Sequence, residues 1–191
     1  MTAAIIAYGR NIDNLDVLSS RVDRIVQKHV GLNILPENYH FVAEALLGAI
    51  EDVLGDAANE EILEACSEAY WFLADLLMAR EAITYSRIAG APGGWNGWRD
   101  FLVQETRPES EIIKSFILKP ADGEAVICHR PGQYLTFSLD VSGAGQIKRN
   151  YSISSAPNGR TYRISVKRER RPGVPPGIAS TQSCCLAVAS G

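Results

Sequence analysis

The stretch Ala91-Pro92-Gly93-Gly94-Trp95-Asn96-Gly97-Trp98-Arg99-Asp100-Phe101 divides the chain into two halves of different character. It holds three glycines, a proline and two of the three tryptophans. Glycine tolerates positive φ and proline cannot continue a helix, so such a cluster ends regular structure. Residues before it follow helical spacing, and residues after it alternate as strands do. Large aromatic rings beside the turn mark a linker packed against a neighbouring element. The expected architecture is multidomain α + β, with a boundary here.

In the first half, Met1 to Tyr8 is apolar and reads as the inside of a helix without its cap. Val17, Val22, Ile25 and Val26 recur at helical spacing up to His29, and Gly31-Leu32-Asn33 ends that helix. Pro36-Glu37 opens the next one. Its expected buried stripe is Leu46, Leu47, Ile50, Val53 and Leu54, with Gly55 as the stop. Asn59 caps a long helix whose expected apolar face is Ile62, Ala65, Ala69, Phe72, Leu73, Leu76 and Leu77. After the linker, Glu111–Leu118, Tyr134–Leu139, Lys148–Ser154 and Tyr162–Arg168 alternate. Pro120-Ala121-Asp122-Gly123 reads as a turn, and Pro157-Asn158-Gly159 as a hairpin connection between the last two strands. Four antiparallel strands with short turns predict a small barrel.

Composition narrows the function classes. The 191 residues are 46% hydrophobic and 21% charged, which excludes a disordered chain. No apolar run is long enough to span a membrane, since even Trp71–Ala79 is broken by Asp75. The N-terminus lacks the basic flank of a signal peptide. Cys66, Cys128, Cys184 and Cys185 show no metal-type spacing, and a reducing cytoplasm is expected. The net charge of −3 hides an asymmetry, with 7 Lys and Arg against 14 Asp and Glu in residues 1–99 but 12 against 8 in residues 100–191. No aromatic–basic motif accompanies the basic half, so an anionic small ligand is expected rather than nucleic acid.

His29 reads two ways. It is a C-terminal histidine favoured by the helix dipole, or it is an axial haem ligand that needs partners to orient its imidazole. His40 and His129 have no such setting and are expected to be structural or exposed. Tyr39 reads as a core tyrosine and Glu81 as a solvated charge. The runs Ala7-Tyr8-Gly9-Arg10-Asn11-Ile12-Asp13-Asn14-Leu15, Gln27-Lys28-His29-Val30 and Pro36-Glu37-Asn38-Tyr39 resemble the globin domain of bacterial flavohaemoglobins. Glu68-Ala69-Tyr70 and Gly93-Gly94-Trp95 match the same family at compatible spacing. The resemblance implies that His29 is the proximal ligand of haem iron, supported by Tyr39 and by Glu81 of Ala79-Arg80-Glu81. It also implies that Lys28 tunes the haem environment through a propionate.

Two motifs of the second half resemble the ferredoxin-reductase type of FAD domain carried by that family. They are Arg130-Pro131-Gly132-Gln133-Tyr134 and Arg149-Asn150-Tyr151-Ser152. By resemblance, Arg149 pairs with FAD phosphate, Tyr151 stacks on the isoalloxazine, and Ser152 hydrogen-bonds the flavin ring. Tyr134 and Asn150 join the same cofactor site. Guanidinium suits phosphate and a tyrosine face suits a flat ring, although an exposed Arg and a packed Tyr on an ordinary strand leave the same local pattern. Gly177-Ile178-Ala179-Ser180 resembles the family's pyrophosphate turn, which implicates Gly177 and Ser180. Thr181–Gly191 departs from the pattern and is assigned no structure.

The expected domains are therefore a partial globin domain over 1–90, a linker over 91–101, a partial antiparallel β-barrel FAD-binding domain over 102–180, and an out-of-family tail over 181–191. The resemblance implies an internal fragment of a nitric oxide dioxygenase. It would use haem b and FAD to convert NO and O2 to nitrate, with electrons from NAD(P)H, whose own domain is not recognisable here. Lost catalytic turnover and a barrel lacking its closing strand are the corresponding expectations. A non-catalytic haem- or flavin-binding remnant is the alternative.

Overall fold

The structure, a computed structural model, describes residues 8–11, 14–141, 145–168 and 183–189. The chain forms two compact units, one comprising residues up to Val26 with Ile34–Thr84, the other Gln27–Asn33 with the residues from Tyr85 onward. The expected helix over residues 1–8 lies outside the described residues except for Tyr8.

Three helices account for most of the first half: α1 (Ser19–Gly31), α2 (Tyr39–Leu54) and α3 (Glu60–Ala89). Their ends follow local chemistry. Asn33 takes the left-handed φ of 54° just beyond α1, the conformation that turns a chain out of a helix. A 3-10 turn at Pro36–Asn38 feeds α2, and the Gly55 N–H donates to the Glu51 carbonyl where α2 stops. Asn59 caps α3, its Oδ1 accepting from the Ile62 N–H at 2.9 Å.

The buried stripes agree with those expected at Val22, Val26 and Leu77 and differ elsewhere. Val22, Val26 and Val30 are buried on α1, Tyr39 and Ala43 on α2, and Ala74, Leu77, Glu81, Thr84 and Ile88 on α3. Each set keeps the spacing of three and four residues that places side chains on one face. Val53 and Phe72, assigned to the core by periodicity, are 83% and 57% exposed. Apolar residues occur on every side of α3 through residues 62–79, so spacing alone singles out no face there.

The second unit is built on one antiparallel sheet of six strands: β1 (Arg99–Pro108), β2 (Ile113–Pro120), β3 (Tyr134–Val141), β4 (Gly145–Ser152), β5 (Tyr162–Lys167) and β6 (Ser183–Ala189). Their order is β4-β3-β6-β1-β2-β5. Phe101, Phe116, Leu118, Leu135, Phe137, Leu139, Tyr162 and Ile164 form its core. His129 is buried against Tyr162, with ring centroids 5.9 Å apart, and its Nε2–H donates to the Ser155 carbonyl at 2.8 Å. His40 is exposed and donates from Nδ1 to the Glu37 carbonyl.

Three expectations need correction. Residues 183–189, given no structure from sequence, form β6 and pair with β1 from Arg99↔Leu186 to Leu102↔Ser183 and with β3 from Tyr134↔Ala189 to Ser138↔Cys185. The expected exposed edge is thereby covered. The facing edges of β1 and β3 present backbone donors and acceptors that need partners, and a proline-free extended segment supplies them whatever its side chains. Secondly, β4 and β5 are not a hairpin but the end strands of the sheet. Ile153 bridges Ile164 and the Ser154 N–H donates to the Arg163 carbonyl at 2.7 Å. The sheet curls without closing into a barrel. Thirdly, β1 begins at Arg99, inside the stretch read as linker.

That stretch is held by contacts that its composition dictates. A Cβ on Gly94 would lie 1.8 Å from the Ile88 carbonyl oxygen, and one on Gly93 would lie 2.5 Å from the Val126 carbonyl carbon. Trp95 packs against the sheet core, its ring 5.7 Å from that of Phe101. Arg99 forks onto Asp122 through Nε and Nη2 at 2.8 and 2.7 Å. Its Nη1 donates to the Ala125 carbonyl at 2.9 Å, and its guanidinium carbon stands 5.2 Å from the Trp95 ring centroid.

Two outcomes are expected. Gly94→Ala destabilises the second unit by at least about 2 kcal/mol, because the methyl group meets backbone rather than a movable side chain; urea unfolding followed by tryptophan fluorescence measures it. The Arg99 hydrogen bonds lower the Asp122 pKa to about 2. A depressed carboxyl pKa stabilises the fold fully above the ordinary value near 4 and loses that contribution as pH falls through the folded value. Carboxyl NMR titration should find the Asp122 midpoint near 2, and Arg99→Gln should return it to the ordinary range.

Candidate functional site

The last turn of α1 carries Lys28 and His29, the lysine exposed and the histidine half-buried. Gln27–Asn33 belong to the second unit. In the first unit, α2 begins at Tyr39, whose phenol donates to Glu81 Oε1 of α3 at 2.7 Å. Both are buried, Glu81 to 2% exposure. The Tyr70 hydroxyl donates in turn to the Tyr39 backbone carbonyl at 2.5 Å. A carboxylate taken out of water needs hydrogen-bond donors to remain tolerable, and the phenol is one. A carboxylate fixed in this way can orient a further donor, such as an imidazole N–H.

The second group of residues lies on the β3–β4 ladder. Tyr134 pairs with Ser152, Leu135 with Tyr151, Thr136 with Asn150, and Phe137 with Arg149. Residues directly opposite in a ladder share a face. Arg149 and Tyr151 therefore share the face of Leu135 and Phe137, and Tyr151 meets Phe137 edge-on at 5.2 Å. Tyr134, Asn150 and Ser152 belong to the opposite face. Since β4 ends the sheet order, a ligand reaching both sets must lie over that edge. Arg149 is half-buried, its Nη1 donates to the Lys148 carbonyl at 3.0 Å, and it has no acidic partner among the described residues. Its remaining N–H groups suit an anion, and the two tyrosines and the serine suit a flat polar ring.

Comparison with known proteins agrees with both halves. The globin family profile matches residues 1–76. The flavohemoprotein of Xylella fastidiosa strain 9a5c is 56% identical over 173 residues, covering 91% of this chain and 44% of that protein. The flavohemoprotein of Rhizobium meliloti is 47% identical over 182 residues, covering 95% of this chain and 45% of that protein. The chain is similar to flavohaemoglobins over more than nine-tenths of its length. It spans less than half the length of these flavohaemoglobin relatives. A flavohemoglobin of Malassezia yamatoensis, solved with bound FAD and heme, superposes with a TM-score of 0.75 over 90% of this chain and 44% of its own, at 23% identity. At that identity the likeness speaks for the fold.

The structure joins Tyr39 to Glu81 and aligns Tyr134, Arg149, Asn150, Tyr151 and Ser152 on neighbouring strands. Gly177 and Ser180 lie outside the described residues. The expectation of a solvated Glu81 is overturned by its burial among packed helices. Two contacts escaped sequence reading. Tyr70 was noted only as a family match, although its hydroxyl restrains the first residue of α2. Lys148, beside Arg149, donates to the Leu32 carbonyl 116 positions away, and no local pattern announces such a contact. Among the described residues, no helix is long and apolar enough to cross a membrane.

Tyr39→Phe removes the phenol donor while the carboxylate stays buried, and should destabilise the helical unit by about 1–3 kcal/mol. Glu81→Gln, which keeps an acceptor oxygen, should cost less. Urea unfolding followed by far-ultraviolet circular dichroism compares the two.

Proposed function

We propose that these 191 residues supply the proximal haem residues and the flavin-side residues of a nitric oxide dioxygenase. In that reaction NO and O2 combine at haem b with uptake of one electron to give nitrate, the electrons coming from NAD(P)H through FAD. Haem would supply O2 binding and FAD the step between two-electron and one-electron chemistry. By the family resemblance, His29 would hold the iron, and Tyr39 and Glu81 would support it as an imidazole's hydrogen-bonding partners do. Lys28 acts on a haem propionate. Arg149 takes the FAD phosphate, Tyr151 and Tyr134 pack on the flavin, and Asn150 and Ser152 hydrogen-bond it. Gly177 and Ser180 complete the pyrophosphate turn.

The observation that carries this reading is the 2.7 Å bond between Tyr39 and Glu81. It joins two residues 42 positions apart that resemblance pairs for a single purpose, and the bland readings of each residue do not anticipate it. The proposed domain division is 1–90, 91–101, 102–180 and 181–191, with β1 reaching into the linker from Arg99 and residues 183–189 of the last segment pairing into the sheet. A reducing cytoplasm suits the free thiols of Cys66 and Cys128. O2 and NO are the small-molecule partners.

A second reading, cofactor binding without complete turnover by these residues alone, rests on their spanning 44% of a relative's length. Purified chain incubated with haem and FAD should show a Soret band and flavin absorbance. His29→Ala should abolish most of the Soret band and leave the flavin spectrum unchanged. An unaltered Soret band removes His29 from the iron, and uptake of neither chromophore ends the proposal. Consumption of NO with NADH by the same preparation decides against the second reading.

A further inference from the structure

The C-terminal turn of α1 is finished by a side chain from β4. The Leu32 N–H donates to the carbonyls of Lys28 and His29 at 3.0 and 3.1 Å, and the Asn33 N–H donates to Val30 at 3.1 Å. These bonds close the last turn. Lys148 Nζ donates to the Leu32 carbonyl at 3.0 Å and stands 5.3 Å from the centroid of the Trp98 ring. A cation at a helix C-terminus meets both an orphan acceptor and the negative end of the helix dipole, and an aromatic face favours the same ammonium. Gly97 comes close to the same turn, since a Cβ there would stand 3.7 Å from Asn33 Oδ1. Helix end, linker and strand thus meet at one ammonium group.

Sequence position gives this contact its consequence. Lys148 immediately precedes Arg149-Asn150-Tyr151-Ser152, and Leu32 follows His29 by three residues. We propose that Lys148 is a positioning residue that fastens the turn carrying His29 to the strand carrying the flavin-side residues, so that haem ligand and flavin strand keep one register for electron transfer. The proposal rests on the haem and flavin assignments above. Arginine at this position keeps the charge and the ring contact and should substitute in part. Methionine keeps most of the stem's apolar contact but neither the charge nor the donor.

Two measurements test it. In the chain without cofactors, hydrogen exchange of the Leu32 and Asn33 amides should quicken about tenfold in Lys148→Met and return to within about threefold of wild type in Lys148→Arg. The Phe116 and Ile164 amides of β2 and β5 should be unchanged. Equal exchange at Leu32 and Asn33, or a uniform rise across the sheet, overturns the proposal. In chain loaded with haem and FAD, photoreduced flavin passes one electron to ferric haem. Lys148→Met should slow that transfer about tenfold while the Soret and flavin bands keep their positions and intensities. An unchanged rate overturns the coupling. If wild-type chain binds neither chromophore, the assignments of the preceding section fail, and the exchange measurement still decides whether Lys148 fastens the turn.

Discussion

At Gly94 the backbone runs so close to the Ile88 carbonyl that no side-chain carbon fits between them. The same peptide stretch presses Gly93 against Val126, so the chain leaves α3 and reaches the sheet within a few residues. Everything that follows in the second unit starts from that placement. Trp95 reaches the sheet core, Arg99 reaches Asp122 and Ala125, and β1 begins at Arg99 with β2 on one side and β6 on the other. The constraint is steric rather than attractive. Hydrophobic burial holds the sheet together, but the absence of two methyl groups determines where its first strand starts.

The polar contacts fall into two energetic classes. The Tyr39–Glu81 bond is buried, where removing a donor exposes the full desolvation penalty of a carboxylate. It anchors the start of α2 to the middle of α3. The Arg99–Asp122 fork and the Lys148–Leu32 contact are exposed, where charge is screened and contributes little to global stability. Their importance is positional: each fixes the geometry of a segment whose backbone is already committed. A small energy suffices when the competing conformations differ only locally.

Much of the fold was legible because its punctuation is chemical. Asn59 before α3, Gly55 after α2 and the Pro120–Gly123 turn act through their own side chains or lack of them, and local sequence reports such features. Tyr134 and Ser152, which only the family resemblance groups together, pair across one ladder. The buried stripes of α2 and α3 were not legible in this way. Val53 and Phe72 are as apolar as Leu77, and only the neighbouring helices decide which of them meets a partner. Glu81 is the sharpest instance, because a carboxylate is ordinarily solvated and its burial depends on a phenol 42 residues away. Residues 183–189 illustrate the same limit in the sheet. Their strand is selected by open backbone edges on β1 and β3, which no feature of Ser183-Cys184-Cys185-Leu186 foretells.

By itself the sequence determined the change from helix to sheet at residues 91–101 and the stops of the helices. These follow from φ limits, caps and alternation, all of which act over a few neighbours. Only the tertiary structure decided that Glu81 is buried beneath Tyr39, that β6 lies between β3 and β1, and that Lys148 reaches the turn after His29. Those outcomes depend on which surfaces and open hydrogen-bonding groups meet across tens of residues. The stretch of glycines and tryptophans belongs to both accounts: its composition announces a turn, and its packing against Ile88 and Val126 makes that turn a fixed joint.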